Sequence, residues 1–119
     1  MESFTGRVVR GKQLGRTIGY PTANLATDAE VPRGVYAVIA SAEGKRWRAI
    51  MNVGAHPTAP EGAPTIEVHL LDFEGGLYGD EMQVDVVCFL RDERKFESLE
   101  ALRRQLERDE ARAREIVGL

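Results

Sequence analysis

Three groups of residues in this 119-residue chain carry side chains that could do chemistry together. In Pro21-Thr22-Ala23-Asn24 the proline holds the backbone extended, so Thr22 and Asn24 project to one side and offer a hydroxyl and an amide oxygen. Glu67 stands between Ile66 and Val68 in a strand-like run, where a carboxylate is costly unless it has a partner or a use. Between Ser3 and Thr27 there is no acidic residue, while Arg7, Arg10, Lys12 and Arg16 are spread among Gly6, Gly11, Gly15 and Gly19. Hard neutral oxygens, a carboxylate and a basic glycine-rich stretch are the parts that phosphoryl transfer asks for: positioning, charge neutralisation and a proton acceptor.

Each part also has a plainer reading. The glycine-rich stretch could be a solvated surface loop, and Glu67 an outward-facing residue on a half-exposed strand. Two familiar phosphate loops can be tested directly. Gly6 to Lys12 follows the P-loop pattern until Gln13 replaces the Ser or Thr that would ligate magnesium, and Gly15 and Gly19 would break the helix that must follow. The dinucleotide fingerprint is absent, because Gly11, Gly15 and Gly19 are each separated by three residues. What remains is a loop whose backbone amides and cations close over phosphates. Magnesium prefers hard oxygens and often shares nucleotide phosphates, so a neutral Thr22/Asn24 pair implies a metal that arrives with its nucleotide. His69, two residues beyond Glu67, reads as a hydrogen-bonded strand residue rather than a catalyst, and His56 falls in a loop. No Cys/His cluster at zinc-ligand spacing and no Ser-His-Asp arrangement can be assigned.

The elements that must position these groups are strand-like. Ser3–Val9, Gly34–Ala42, Arg46–Val53, Ile66–Phe73 and Met82–Leu90 are rich in β-formers, and the third alternates Trp47, Ala49, Met51 and Val53 against a more polar face. Glu43-Gly44-Lys45 predicts a hairpin, and EGGLYGDE (residues 74–81) predicts another. Residues 54–65 contain three prolines and read as a loop long enough to be functional. From Ser98, an N-cap candidate, Leu99, Leu102, Leu106, Ala113 and Ile116 predict one amphipathic helix docked on its own sheet. Strands without βαβ alternation predict an antiparallel sheet closed into a small barrel.

Totals bound the rest. The chain fits one domain, residues 1–119. Its 16 basic and 19 acidic residues argue against nucleic acid as a partner. A single cysteine, Cys88, reads as a buried structural thiol and suits a reducing cytoplasm. No run approaches the roughly 18 apolar residues of a membrane span and no leader opens the chain, so a non-exported protein without a membrane partner is expected.

Taken in order, GRVVRG, LGRTIGYPTAN, GVYAV, NVGAHPT, IEVHLLDF, LYGDE and FLRDERKFESL resemble the riboflavin kinase family, from about Gly6 through the C-terminal helix. The resemblance implies a mainly β fold, a six-stranded antiparallel Greek-key β-barrel with a C-terminal α-helix. It implies transfer of the γ-phosphate of ATP to the 5′-hydroxyl of riboflavin, giving FMN and ADP, with Mg²⁺ as cofactor. Family roles then fall on Thr22 and Asn24 (metal and phosphates), Glu67 (base), Gly11 and Arg16 (nucleotide loop), Leu70, Asp72 and Tyr78 (nucleotide pocket), and Arg91 and Arg94 (flavin). Arg16 stands where some members have lysine, keeping the charge with a different geometry. Bacterial relatives often carry an N-terminal adenylyltransferase domain for which 119 residues leave no room, so FAD synthesis is not expected of these residues. A monomer acting on small molecules is expected. A non-catalytic flavin- or nucleotide-binding barrel in regulation or carriage is the alternative.

Overall fold

The computed structural model describes residues 2–9, 21–55 and 64–119. Six strands and one helix follow in order: β1 (Ser3–Val9), β2 (Ala23–Ala26), β3 (Gly34–Ala42), β4 (Lys45–Ala55), β5 (Pro64–Leu70), β6 (Glu81–Arg91) and α1 (Leu99–Ile116). All neighbours are antiparallel, and the strands close in the order β1-β2-β5-β4-β3-β6. β3, β4 and β5 lie side by side while β6 returns beside β3, which is a Greek key. Closure removes every sheet edge.

Alternation divides the strand residues between two cores. Val38, Ala40, Ala49, Met51, Val53, Ile66, Val68, Met82 and Val84 fill the barrel interior. On the outer wall Val35, Ala37, Ile39, Ile50 and Leu90 meet Ala113 and Val117 at the helix end. The helix starts where Ser98 accepts a hydrogen bond from the backbone N–H of Ala101 at 3.1 Å, a side-chain N-cap. Leu102 and Leu106 are half-buried, but Leu99 is 48% exposed, because the helix touches the barrel over its later turns.

The β3–β4 hairpin turns on Glu43 and Gly44, both at positive φ (54° and 75°), with Ala42 paired to Lys45. Positive φ at both central positions matches the right-handed twist of the flanking strands. The expected second hairpin is not there: β5 pairs with β2 and β4, and β6 with β1 and β3. β5 also ends at Leu70 instead of Phe73, turning at Leu71 and Asp72, the latter at φ 65°. The link then runs along β1, where Gly79 N–H donates to Val8 C=O and Val8 N–H to Asp80 C=O, both at 2.9 Å. Arg7 adds a bond to the Gly79 carbonyl at 2.8 Å. EGGLYGDE is therefore a crossing to the far side of the barrel. β2 was legible as extended backbone at Pro21–Asn24 but not as a strand.

The register slips twice between β3 and β6, between Val35 and Tyr36 and between Ala37 and Val38. Such bulges break the in-out alternation. Here they let Leu90 join the helix-side core while adjacent Arg91 also reaches the helix. Cys88 is not the buried thiol expected of it. It is half-exposed at the margin of that outer core.

Candidate active site

Ile66, Val68 and Leu70 point into the barrel, so Glu67 and His69 face outward. Register then assembles a belt across the outer wall. Asn24 is paired with Glu67, Glu67 with Asn52, Asn52 with Val35, and Val35 with Arg91. Directly paired residues share a face of the sheet. The segment after β6 and the first turns of α1 fold over this belt, bringing Glu93, Arg94, Phe96, Leu102 and Leu106 opposite it. Together they line a cavity of about 250 Å³. Val35, Ile50, Phe96, Leu102 and Leu106 give it apolar lining, Thr22, Asn52 and Glu67 neighbour one another on its polar side, and Arg91, Glu93 and Arg94 add charge beside Phe96.

A second cavity, of about 320 Å³, lies on the other side of the Pro21–Asn24 segment. It is lined by Thr22, Asn24, Val9, Leu70 and the Gly75–Tyr78 stretch of the β5–β6 link. Thr22 borders both cavities. Its Oγ1 donates to Glu67 Oε1 at 3.0 Å, so the hydroxyl's lone pairs are left for another partner. His69 Nδ1 is 2.6 Å from the Pro21 carbonyl, an acceptor, so that ring nitrogen carries the proton. The contact holds the segment just where proline, with no N–H, cannot continue the β2–β5 ladder.

The sequence-predicted residues fall into distinct groups. Thr22, Asn24, Leu70 and Tyr78 surround the second cavity, Leu70 from the barrel core and Tyr78 from a position 64% exposed. Glu67, Arg91 and Arg94 line the first. Asp72 lies apart, in a shallow groove with Glu110 and Arg114. Arg114 grips its carboxylate with bonds of 2.8 and 2.9 Å, and that hydrogen bonding holds the Asp72 pKa below the usual carboxylate range. Gly11, Arg16 and His56 lie outside the described residues.

Arg91 does more than face the cavity. Its Nε and Nη2 bind Asp109 at 3.0 and 2.8 Å, and Gln105 donates to the same carboxylate at 3.0 Å. Asp109 is 2% exposed, a buried charge that the guanidinium fork satisfies. Arg94 stands over the Phe96 ring at 4.8 Å, and Arg91 flanks the same ring at 5.6 Å, both within cation–π range. Sequence reasoning missed Asp109, although it follows Leu102 and Leu106 by seven and three residues on the core-facing stripe. It also missed Asn52, whose place beside Glu67 depends on the β4–β5 register.

The fold and site define a class: a Greek-key barrel with two cavities that meet at a hydroxyl–carboxylate pair. Comparison with known proteins gives the family. It belongs to the riboflavin kinase family, whose model matches residues 2–117. It is 43% identical to the bifunctional riboflavin kinase/FMN adenylyltransferase of Escherichia coli K12, over 98% of this chain and 38% of that protein. It is 37% identical to the RNA-binding riboflavin kinase of Bacillus subtilis, over 100% of this chain and 54% of the relative. Among solved structures, a Streptococcus pneumoniae protein titled a macrolide-efflux protein superposes with a TM-score of 0.86. That match has 36% identity and covers 94% of this chain and 38% of the other. Riboflavin kinase from Trypanosoma brucei gives a TM-score of 0.72 at 23% identity, over 95% of this chain and 74% of that one, a likeness of fold. Among the described residues, no helix is long and apolar enough to cross a membrane.

Proposed function

We propose that this chain is an ATP-dependent riboflavin kinase, transferring the γ-phosphate of ATP to the 5′-hydroxyl of riboflavin to give FMN and ADP. The observation that carries the reading is the Thr22–Glu67 hydrogen bond at the junction of the two cavities. The cavity under the helix, with its apolar lining, takes the flavin ring and leads the ribityl chain to Glu67. The cavity beside Gly75–Tyr78 takes the nucleotide, with Leu70 and Tyr78 against it.

Glu67 accepts the proton of the 5′-hydroxyl as that oxygen bonds to the γ-phosphorus. The bond between the γ-phosphorus and the β,γ-bridging oxygen breaks, and ADP leaves with the bond's electron pair. Thr22 and Asn24 are hard neutral oxygen donors, and Thr22 directs its proton to Glu67, so both fit Mg²⁺ held jointly with phosphate oxygens. When bound, Mg²⁺ offsets charge on the phosphates. Gly11 and Arg16 are assigned to closing over the phosphates. Arg91 and Arg94 are assigned to the flavin side, Arg91 held in place by Asp109. Asp72 stands outside the cavity assigned to the nucleotide, in the groove beside it, with its carboxylate held by Arg114.

Small molecules are the expected partners. The acidic balance and the two cavities favour them over nucleic acid. One chain supplies every residue assigned a role, so a monomer suffices, and the cytoplasm is the compartment inferred. Incubation with riboflavin, ATP and Mg²⁺, followed by chromatography, should yield FMN and ADP. Absence of both products would overturn the kinase reading, and flavin binding without turnover would favour a carrier barrel.

A further inference from the structure

Asn52 lies at the middle of the belt that floors the flavin-side cavity, yet its side-chain Oδ1 is buried without a hydrogen-bond donor among the described residues. Only one other described side-chain atom shares that condition, Trp47 Nε1. Trp47 packs edge-on against Phe73 and is not among the residues lining the two cavities described above. A buried carbonyl left unpaired carries its full desolvation penalty, whereas an aliphatic residue would floor the cavity without one. Ile50, two residues earlier on the same face of β4, does so. The oxygen is covered in this arrangement, so the carboxamide meets a donor that arrives with the ligand by turning about its Cβ–Cγ bond.

Its position fixes where on the ligand that donor must be. Asn52 is the direct cross-strand partner of Glu67 on one side and of Val35 on the other. Paired residues have Cβ atoms about 4.5–5.5 Å apart, so the carboxamide stands one step from the proton-accepting carboxylate toward Val35. Resting on the kinase reading above, we propose that Asn52 is a specificity-determining residue for the acceptor. Its Oδ1 accepts a hydrogen bond from the 4′-hydroxyl of the ribityl chain, the hydroxyl next to the one that is phosphorylated. Glu67 and Asn52 thereby read two adjacent hydroxyls, and an alcohol that presents only the terminal one is a poor acceptor.

The test compares kcat/KM for riboflavin and 4′-deoxyriboflavin in the wild-type chain and in Asn52→Ala and Asn52→Leu. Wild type should favour riboflavin by roughly ten- to hundred-fold, the scale of one buried hydrogen-bonding group left without its partner. In both variants that ratio should collapse toward one, because the acceptor of the 4′-hydroxyl is gone. Thermal melting should leave the variants at or above wild type, since Asn52→Leu removes an unpaired buried oxygen. A variant that loses efficiency equally on both substrates would overturn the proposal in favour of a structural role, as would a variant that keeps the wild-type ratio. The wild-type comparison stands without any variant: 5′-phosphorylation of both substrates with equal efficiency, to FMN and to 4′-deoxy-FMN, sinks the Asn52 proposal while the kinase reading survives. No product from either substrate sinks both.

Discussion

Thr22 Oγ1 donates a hydrogen bond to Glu67 Oε1 across 3.0 Å, tying the segment that enters β2 to the outer face of β5. The bond gives a sharp prediction because Glu67→Gln keeps an oxygen that can accept it. The site should stay assembled while the ability to take a proton is lost. Turnover should fall by roughly 10²–10⁴-fold, the usual contribution of a general base, with flavin and nucleotide affinities close to wild type. Steady-state kinetics with flavin fluorescence titration separate the two quantities, and an unchanged kcat would remove Glu67 from the role.

The same bond bears on the metal. Thr22→Val is nearly isosteric but removes the hydroxyl, deleting a proposed ligand and Glu67's donor together. The Mg²⁺ concentration giving half-maximal FMN formation should rise by about tenfold or more, the scale seen when partners of metal sites are lost. Chelation should stop turnover yet leave the melting temperature of the nucleotide-free protein unchanged, because Thr22 and Asn24 offer no charge to hold a cation without phosphates. A chelator-induced drop in that temperature would argue for a resident metal.

Local signals were readable in the chain and distant pairings were not. Ser3–Val9 and Gly34–Ala42 are strands with the bounds their composition suggests, and Ser98 caps the helix because Ser before an apolar-periodic run satisfies an orphan N–H. Thr22 and Glu67 could each be singled out, but only the pairing of β2 with β5 puts them in contact. Residues 74–81 misled for the same reason. Glycine-rich composition specifies a turn without specifying which strand lies beside the next one, and here β1 does. Asp109 is one of many charges in an Arg/Glu-rich helix. Its partner Arg91 comes from β6, 18 residues earlier in the chain, and only the tertiary fold brings the two together.

The Arg91–Asp109 pair yields a stability prediction. Asp109→Ala would strip a 2%-exposed carboxylate from a guanidinium that is itself mostly covered. Breaking a buried pair from one side costs about 3–5 kcal/mol, whereas replacing both partners with apolar residues of similar volume is often neutral or stabilising. Asp109→Ala should therefore be strongly destabilised in urea unfolding, and Arg91→Met with Asp109→Leu should recover much of the loss. The double variant should still bind flavin more weakly, because the guanidinium beside Phe96 is gone. Recovery of stability together with full flavin affinity would confine Arg91 to a structural role.

At the other end of the helix, Arg114 clamps Asp72, and the pair should act as an acid-sensitive tie between α1 and the turn after β5. Hydrogen bonding to Arg114 sets the folded-state pKa of Asp72 below its unfolded value, which for an aspartate is about 3.9. A depressed pKa means the folded protein binds the proton less readily than the unfolded chain. The contribution is thus fully present above the unfolded value and is lost as pH falls through the folded one. Asp72→Asn is a fair comparison, since asparagine tolerates the positive φ of 65° at this position. Wild type should melt above the variant by a small, constant margin near neutral pH, and the margin should close in acid. With the Asp72 side chain 63% exposed, added salt should narrow it as well. Melting curves from neutral pH down to about pH 3, in low and high salt, measure both effects; a margin that widened in acid would contradict the sign derived from the ion pair.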